Sequence, residues 1–212
     1  MLKKCAILIF AYSVALISGG ATAGVIADAT GSDSASTTDF WGVTFASGSG
    51  FISSVTFDLT ADADAFFDFD GNANYGGSSG PVIGALNGIA AGDISVTTSN
   101  TVPNADTGVP QPQILTFNFA AGTFGVGDSF RFSADTDYLF SDPAPGSAVG
   151  NAGAAFAVVF EGGQTGAAAF SVVSTTQSIA EVGASVPEPG VLALLAFGLG
   201  GLGYMRRSQV AG

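Results

Sequence analysis

Apolar and polar side chains alternate in short runs along most of this sequence, and a period of two leaves the chain little choice but strands. In the run from Phe51 to Thr60, Phe51, Val55, Phe57 and Leu59 fall on one face and Thr56, Asp58 and Thr60 on the other. Side chains of a strand project to its two faces in turn, so such a run buries one face and wets the other. Leu115, Phe117 and Phe119 alternate with Thr116 and Asn118, and Phe130 and Phe132 flank Arg131. Phe156, Val158 and Phe160 form another row, and Ala168, Phe170 and Val172 a further one. Residues 40–46 and 93–98 also read as strands. Turn signals separate the runs: Asp70-Gly71, Asn87-Gly88, Pro110-Gln111-Pro112, Gly125-Val126-Gly127-Asp128 and Glu161-Gly162-Gly163. The last of these predicts a hairpin that sets the Phe156 row opposite the Ala168 row. No amphipathic helix of more than a few turns precedes residue 190. The expected fold is all-β, a two-sheet sandwich or jelly roll.

The composition between residues 24 and 185 supports strands and narrows the chemistry. Of eighteen phenylalanines, only Phe10 and Phe197 lie outside that span. Cys5 is the single cysteine and there is no histidine, so no disulfide, Ser-His-Asp triad, Cys-His pair or imidazole zinc site can form there. Arg131 is its one basic residue, against every acidic residue of the chain except Glu188. So acidic a surface offers no basic patch to nucleic acid.

Two apolar segments flank this span. Lys3 and Lys4 precede an apolar stretch from Cys5 to Ile17, Ser18-Gly19-Gly20 breaks it, and Ala21-Thr22-Ala23 has the small-x-small form of a cleavage site. Residues 1–23 are expected to be a signal peptide removed by signal peptidase, with a mature start at Gly24. Cys5 opens the apolar core, where a lipoprotein cysteine would follow it. At the other end stand Val186-Pro187-Glu188-Pro189-Gly190, an apolar segment, and Arg206-Arg207. The two prolines fix an extended backbone that presents Glu188. The uncharged stretch from Gly190 to Met205 would reach about 24 Å as a helix, short of the about 30 Å hydrocarbon core. Gly198, Gly200, Gly201 and Gly203 weaken it further. Lys3, Lys4, Arg206 and Arg207 lie just outside the two segments, so the positive-inside rule places the acidic span on the far side of the membrane.

Residues 186–207 resemble the PEP-CTERM sorting signal of Gram-negative bacteria. Pro187-Glu188-Pro189 matches the motif, residues 191–205 the helix that follows it, and Arg206-Arg207 the basic end. The resemblance implies an exosortase substrate. It would be held briefly in the inner membrane by its C-terminal helix, then released to the cell surface or the exopolysaccharide matrix. Residues 24–175 would be the exported β-sandwich, and 176–185 a tether to the motif. The order Gly127-Asp128-Ser129-Phe130-Arg131-Phe132, then Asp135-Thr136-Asp137, then the Phe156 hairpin, is similar to exported domains of that family, which mostly lack an assigned activity.

Two acidic segments are candidate calcium sites. In one, Asp68, Asp70, Asn72 and Asn74 would point the same way from an extended chain and present four hard oxygen ligands. That segment fails the EF-hand pattern, and a charged edge strand running into the Asp70-Gly71 turn is the simpler reading. The other is Asp135-Thr136-Asp137, joined by Asp128 or Asp142; its simpler reading is turn residues at a strand end. No other cofactor is expected. Arg131 would pair with an aspartate on a neighbouring strand, or bind an anionic sugar.

Three function classes remain open. A structural or adhesive surface protein rests on the family resemblance and the lack of catalytic groups. A carbohydrate-binding module would need an exposed platform at Trp41, Tyr75 or Tyr138. A glycoside hydrolase would need two facing carboxylates, yet Glu161 sits at a turn and Glu181 in the expected tether. No catalytic residue is assigned.

Overall fold

The computed structural model describes residues 21–31, 39–62, 65–70, 80–104, 107–138 and 153–186. Asn72, Asn74, Tyr75, Asp142 and everything from Pro187 to Arg207 lie outside the described residues, as do residues 1–20 and the side chains of Ala21, Ala23 and Tyr138. Among the described residues no helix is long and apolar enough to cross a membrane.

Residues Thr22–Ala184 form one compact all-β unit. In chain order the strands are β1 Ala21–Thr30, β2 Trp41–Ser47, β3 Ile52–Asp58, β4 Ala65–Asp68, β5 Val82–Asn87, β6 Ile94–Pro103 and β7 Pro110–Phe119. They continue with β8 Ser129–Ser133, β9 Asp135–Tyr138, β10 Ala155–Phe160, β11 Thr165–Ala169, β12 Ser171–Ser174 and β13 Gln177–Val186. One sheet has the order β12-β13-β1-β2-β8-β5, a second β11-β10-β3-β7-β6, and β4 and β9 form a two-stranded ribbon.

The core lies between the two larger sheets and is aromatic. Phe57 on β3 meets Trp41 on β2 at 5.3 Å and Phe132 on β8 at 5.1 Å. Phe117 on β7 meets Phe130 and Phe132 at 5.1 and 4.4 Å. Phe45 on β2 meets Phe160 on β10 at 5.8 Å. All of these rings are buried, so inward-facing rows from both sheets interdigitate as in a sandwich. Alternation in sequence thus becomes the core face of each sheet: in β10, Phe156, Val158 and Phe160 are buried and the residues between them are half-exposed.

Four expectations need correction. Phe51 does not share the face of Val55 and Phe57: it is 40% exposed while Ile52 is buried. The β3–β10 register shifts between Ser54 and Ile52, and this irregularity moves Ile52 inward. Pro110-Gln111-Pro112 is the start of β7 rather than a turn; it pairs with Thr101 to Pro103 alone, because β3 begins to pair with β7 only at Ile114. Proline is tolerated where one side of a strand has no ladder partner. The hairpin does set Phe156 opposite Ala168, but β11 ends at Ala169 and the next strand joins the other sheet. Phe170 at this crossing is buried against Trp41 at 5.5 Å, while Val172 is 49% exposed. Finally, the expected tether 176–185 is mostly strand. In β13, Ser178, Ala180 and Val182 face inward, and the strand lies between β12 and β1. Its inward residues are small, so its period of two is quiet in the sequence.

Candidate metal centre

The β4–β9 ribbon brings the two acidic segments together. Asp68 ends β4, Asp135 begins β9, and they are register partners. Asp137 lies two residues along β9 and so shares a face with Asp135, diagonal to Asp68. One carboxylate oxygen from each of the three lies within 4.8 Å of those of the other two.

Buried amide side chains on β7 hold the ribbon in place. Gln111 Oε1 accepts the Phe69 N–H at 2.9 Å. Gln113 Nε2 donates to Ala65 O at 2.8 Å and to Asp62 O at 3.4 Å. Phe67 packs against Trp41 at 6.3 Å, and Trp41 Nε1 donates to Ala134 O at 3.4 Å, next to Asp135. The only tryptophan of the chain thus touches β4 and the residue just before β9.

The extended row from Asp68 to Asn74 is not what residues 68–70 form. Asp68 Oδ1 accepts the Asp70 N–H at 3.1 Å, a side-chain bond two residues on that bends the chain. Asp70 Oδ2 instead accepts from Asn104 Nδ2 at 3.2 Å and Thr107 Oγ1 at 2.7 Å. Asp70 therefore stands beside the cluster, held from the connection that follows β6. Asp128 is not a member either: its Oδ2 accepts the Gly125 N–H at 2.7 Å and closes a turn.

The electrostatics of the cluster are unusual. Asp68 is fully buried and Asp135 is 5% exposed. Asp68 Oδ2 and Asp135 Oδ2 have no hydrogen-bond partner. Burial pushes the Asp135 carboxyl up to about 6, with the Asp68 charge adding and the Thr136 N–H opposing. Burial also pushes Asp137 up to about 7, helped by its hydrogen bond with Asp68 and by the charges of Asp135, Asp68 and Asp70. Asp68 is raised by burial, although the Asp70 N–H and the Asp137 side chain favour its charged form. Desolvation and like charge thus act together on all three.

Among the described residues no protein cation relieves them. Arg131, the one basic residue between 24 and 185, is bound elsewhere: Nη2 and Nη1 meet Asp28 Oδ2 and Oδ1 at 2.7 and 3.3 Å, and Nε donates to Asp39 O at 2.8 Å. The partner is an aspartate, as the sequence reading expects, but it stands two strands away with β2 between rather than on a neighbouring strand, and the pair occupies the fork that an anionic sugar would need. Asp28 on β1 and Arg131 on β8 are both register partners of Gly42 on β2. A Cβ at Gly42 would stand 2.5 Å from Asp28 Oδ1 and 2.7 Å from Arg131 Nη1, so glycine opens the gap through which the pair meets.

Trp41 is fully buried, which removes it from any sugar platform. Phe66 and Phe67 beside the cluster are buried too. Glu161 Oε1 accepts the Gly122 N–H, and Glu181 is exposed on β13. The sequence reading missed Gln111, Gln113, Asn104 and Thr107 as positioning residues. Gln111 and Gln113 lie two apart, so they share a face once their segment is known to be strand. A scan against protein-family models, a search of curated proteins and a search of solved structures each returned no match.

Proposed function

We propose that this chain is an exported acidic protein of the cell surface or exopolysaccharide matrix, structural or adhesive in role and sorted through residues 186–207 by an exosortase. Its sandwich, jelly-roll-like in layout, is the part delivered. The reading is carried by the tail itself, an extended Pro187-Glu188-Pro189 followed by an uncharged segment and Arg206-Arg207. The strand boundaries are compatible with processing at both ends. β1 pairs with β2 from Gly24 onward, so loss of residues 1–23 leaves that ladder intact. β13 ends at Val186, immediately before Pro187, and proline is a natural strand end because it donates no hydrogen bond. Cleavage beyond the motif would therefore spare every strand among the described residues.

Burial of Trp41 disfavours the sugar-binding alternative at that position. A hydrolase is disfavoured by the carboxylates themselves. Asp68, Asp135 and Asp137 are too close, and the first two too buried, to admit a glycosidic bond and a water between them.

The test is Glu188→Ala in a host that has its exosortase. The variant is expected to accumulate in the inner membrane with its tail attached. Release at the wild-type level would overturn the sorting reading.

A further inference from the structure

Three clustered carboxylates, two of them buried and the third half-buried, need positive charge from somewhere. Uncompensated buried charge is costly, and groups in that position either take up protons or bind metal. Protons alone fit poorly here. A proton shared by Asp68 and Asp137 serves that pair, yet Asp135 Oδ2 keeps no partner and is buried. The described residues have no spare cation to bring, since Arg131, the one basic residue among them, is bonded to Asp28.

We propose that Asp68, Asp135 and Asp137 together bind one calcium ion. Two oxygens bound to the same calcium, each at about 2.3–2.6 Å, can be no more than about 5 Å apart, and the three carboxylates meet that condition. The donors are all hard oxygens, and the 24–185 span has neither histidine nor cysteine to attract zinc or copper. Three carboxylates converging on one point suit calcium better than magnesium, which keeps several waters and is bound through one or two carboxylates. The ion would satisfy both orphaned oxygens at once and clamp β4 to β9 where each strand is short. Neither candidate segment provides this alone: Asp68 comes from one, and Asp135 and Asp137 from the other. The site is independent of how the protein is exported.

Trp41 supplies the readout, because it packs on Phe67 beside Asp68 and bonds to the carbonyl before Asp135. The full chain, purified in mild detergent and stripped with EDTA, would be titrated with calcium chloride and separately with magnesium chloride. Tryptophan fluorescence and melting temperature would be followed, with calorimetry for stoichiometry. One calcium per chain is expected, with a changed Trp41 signal and a rise in melting temperature of about 3–6 °C at ten times the dissociation constant. Magnesium should be at least about tenfold weaker. Asp137→Asn keeps the shape and removes one charge. It should abolish the calcium response while melting no lower than wild type in EDTA, whereas Glu181→Gln on exposed β13 should respond as wild type does. If Asp137→Asn fails to fold, Asp68→Asn replaces it. No calcium-dependent change in wild type up to about 10 mM, above the weakest sites of extracellular modules, would overturn the proposal. So would an undiminished response in Asp137→Asn.

Discussion

Asp68 and Asp135 face each other across the β4–β9 ribbon, two buried carboxylates in register, while the one arginine of the sandwich is spent on Asp28. This pairing of like charges governs how the domain should respond to pH, metal and mutation.

Without divalent cation, stability should depend on pH in the sense opposite to ordinary salt-bridged carboxylates. Asp135 and Asp137 are raised from 3.8 to about 6 and about 7. The native state therefore binds protons more tightly than the unfolded chain. That contribution is complete below the unfolded value and is lost as pH rises through the folded values. In EDTA the melting temperature should fall between about pH 5 and about pH 8, and calcium should restore it at the upper end. A flat profile in EDTA would contradict the burial argument.

The Asp28–Arg131 pair should matter more than a surface salt bridge. The two side chains are 17% and 32% exposed and bonded in two places. Arg131→Ala should cost about 1–2 kcal/mol in denaturant melts, most of it from leaving Asp28 and Asp39 O without their partner. Gly42→Ala should cost at least about 1 kcal/mol by pushing the pair apart. A neutral Gly42→Ala would show that the strands can yield at that point.

Phe57 is the ring on which the two sheets meet, touching Trp41, Phe117, Phe132, Phe156 and Phe170. Phe57→Ala should cost about 3–5 kcal/mol, measured by equilibrium unfolding. Loss below about 2 kcal/mol would mean that the core collapses into the space more readily than its packing implies.

β13 should be indispensable. A fragment of residues 24–175, cut where the sequence reading places the tether, would lose the buried Ser178, Ala180 and Val182 and the ladder beside β1. It should give no cooperative melt, whereas 24–186 should melt as a single unit. Equal melts from both would contradict the role of β13.

The sandwich was legible because its core residues are large and alternate with polar ones: β2, β3, β8 and β10 all lie where the phenylalanine rows place them. Legibility failed where the signal was chemical rather than periodic. β13 buries Ser178, Ala180 and Val182, too small to mark a face, and the start of β7 was hidden by Pro110 and Pro112, which usually mark turns. The metal centre was half legible. Asp68, Asp135 and Asp137 were each picked out in the sequence, but Asp68 lies 67 and 69 positions before the other two by their numbering, and no local pattern foretells that β4 pairs with β9. Gln111 and Gln113 were invisible for the same reason, since their partners are backbone groups of a distant strand.

The central claim concerns delivery, and intact mass with fractionation of the native protein, made in a host with its exosortase, tests it most directly. The account predicts a product that starts near Gly24, lacks Arg206-Arg207 and is found at the cell surface or in the matrix. A product that retains Arg206-Arg207 and stays in the inner membrane would contradict it.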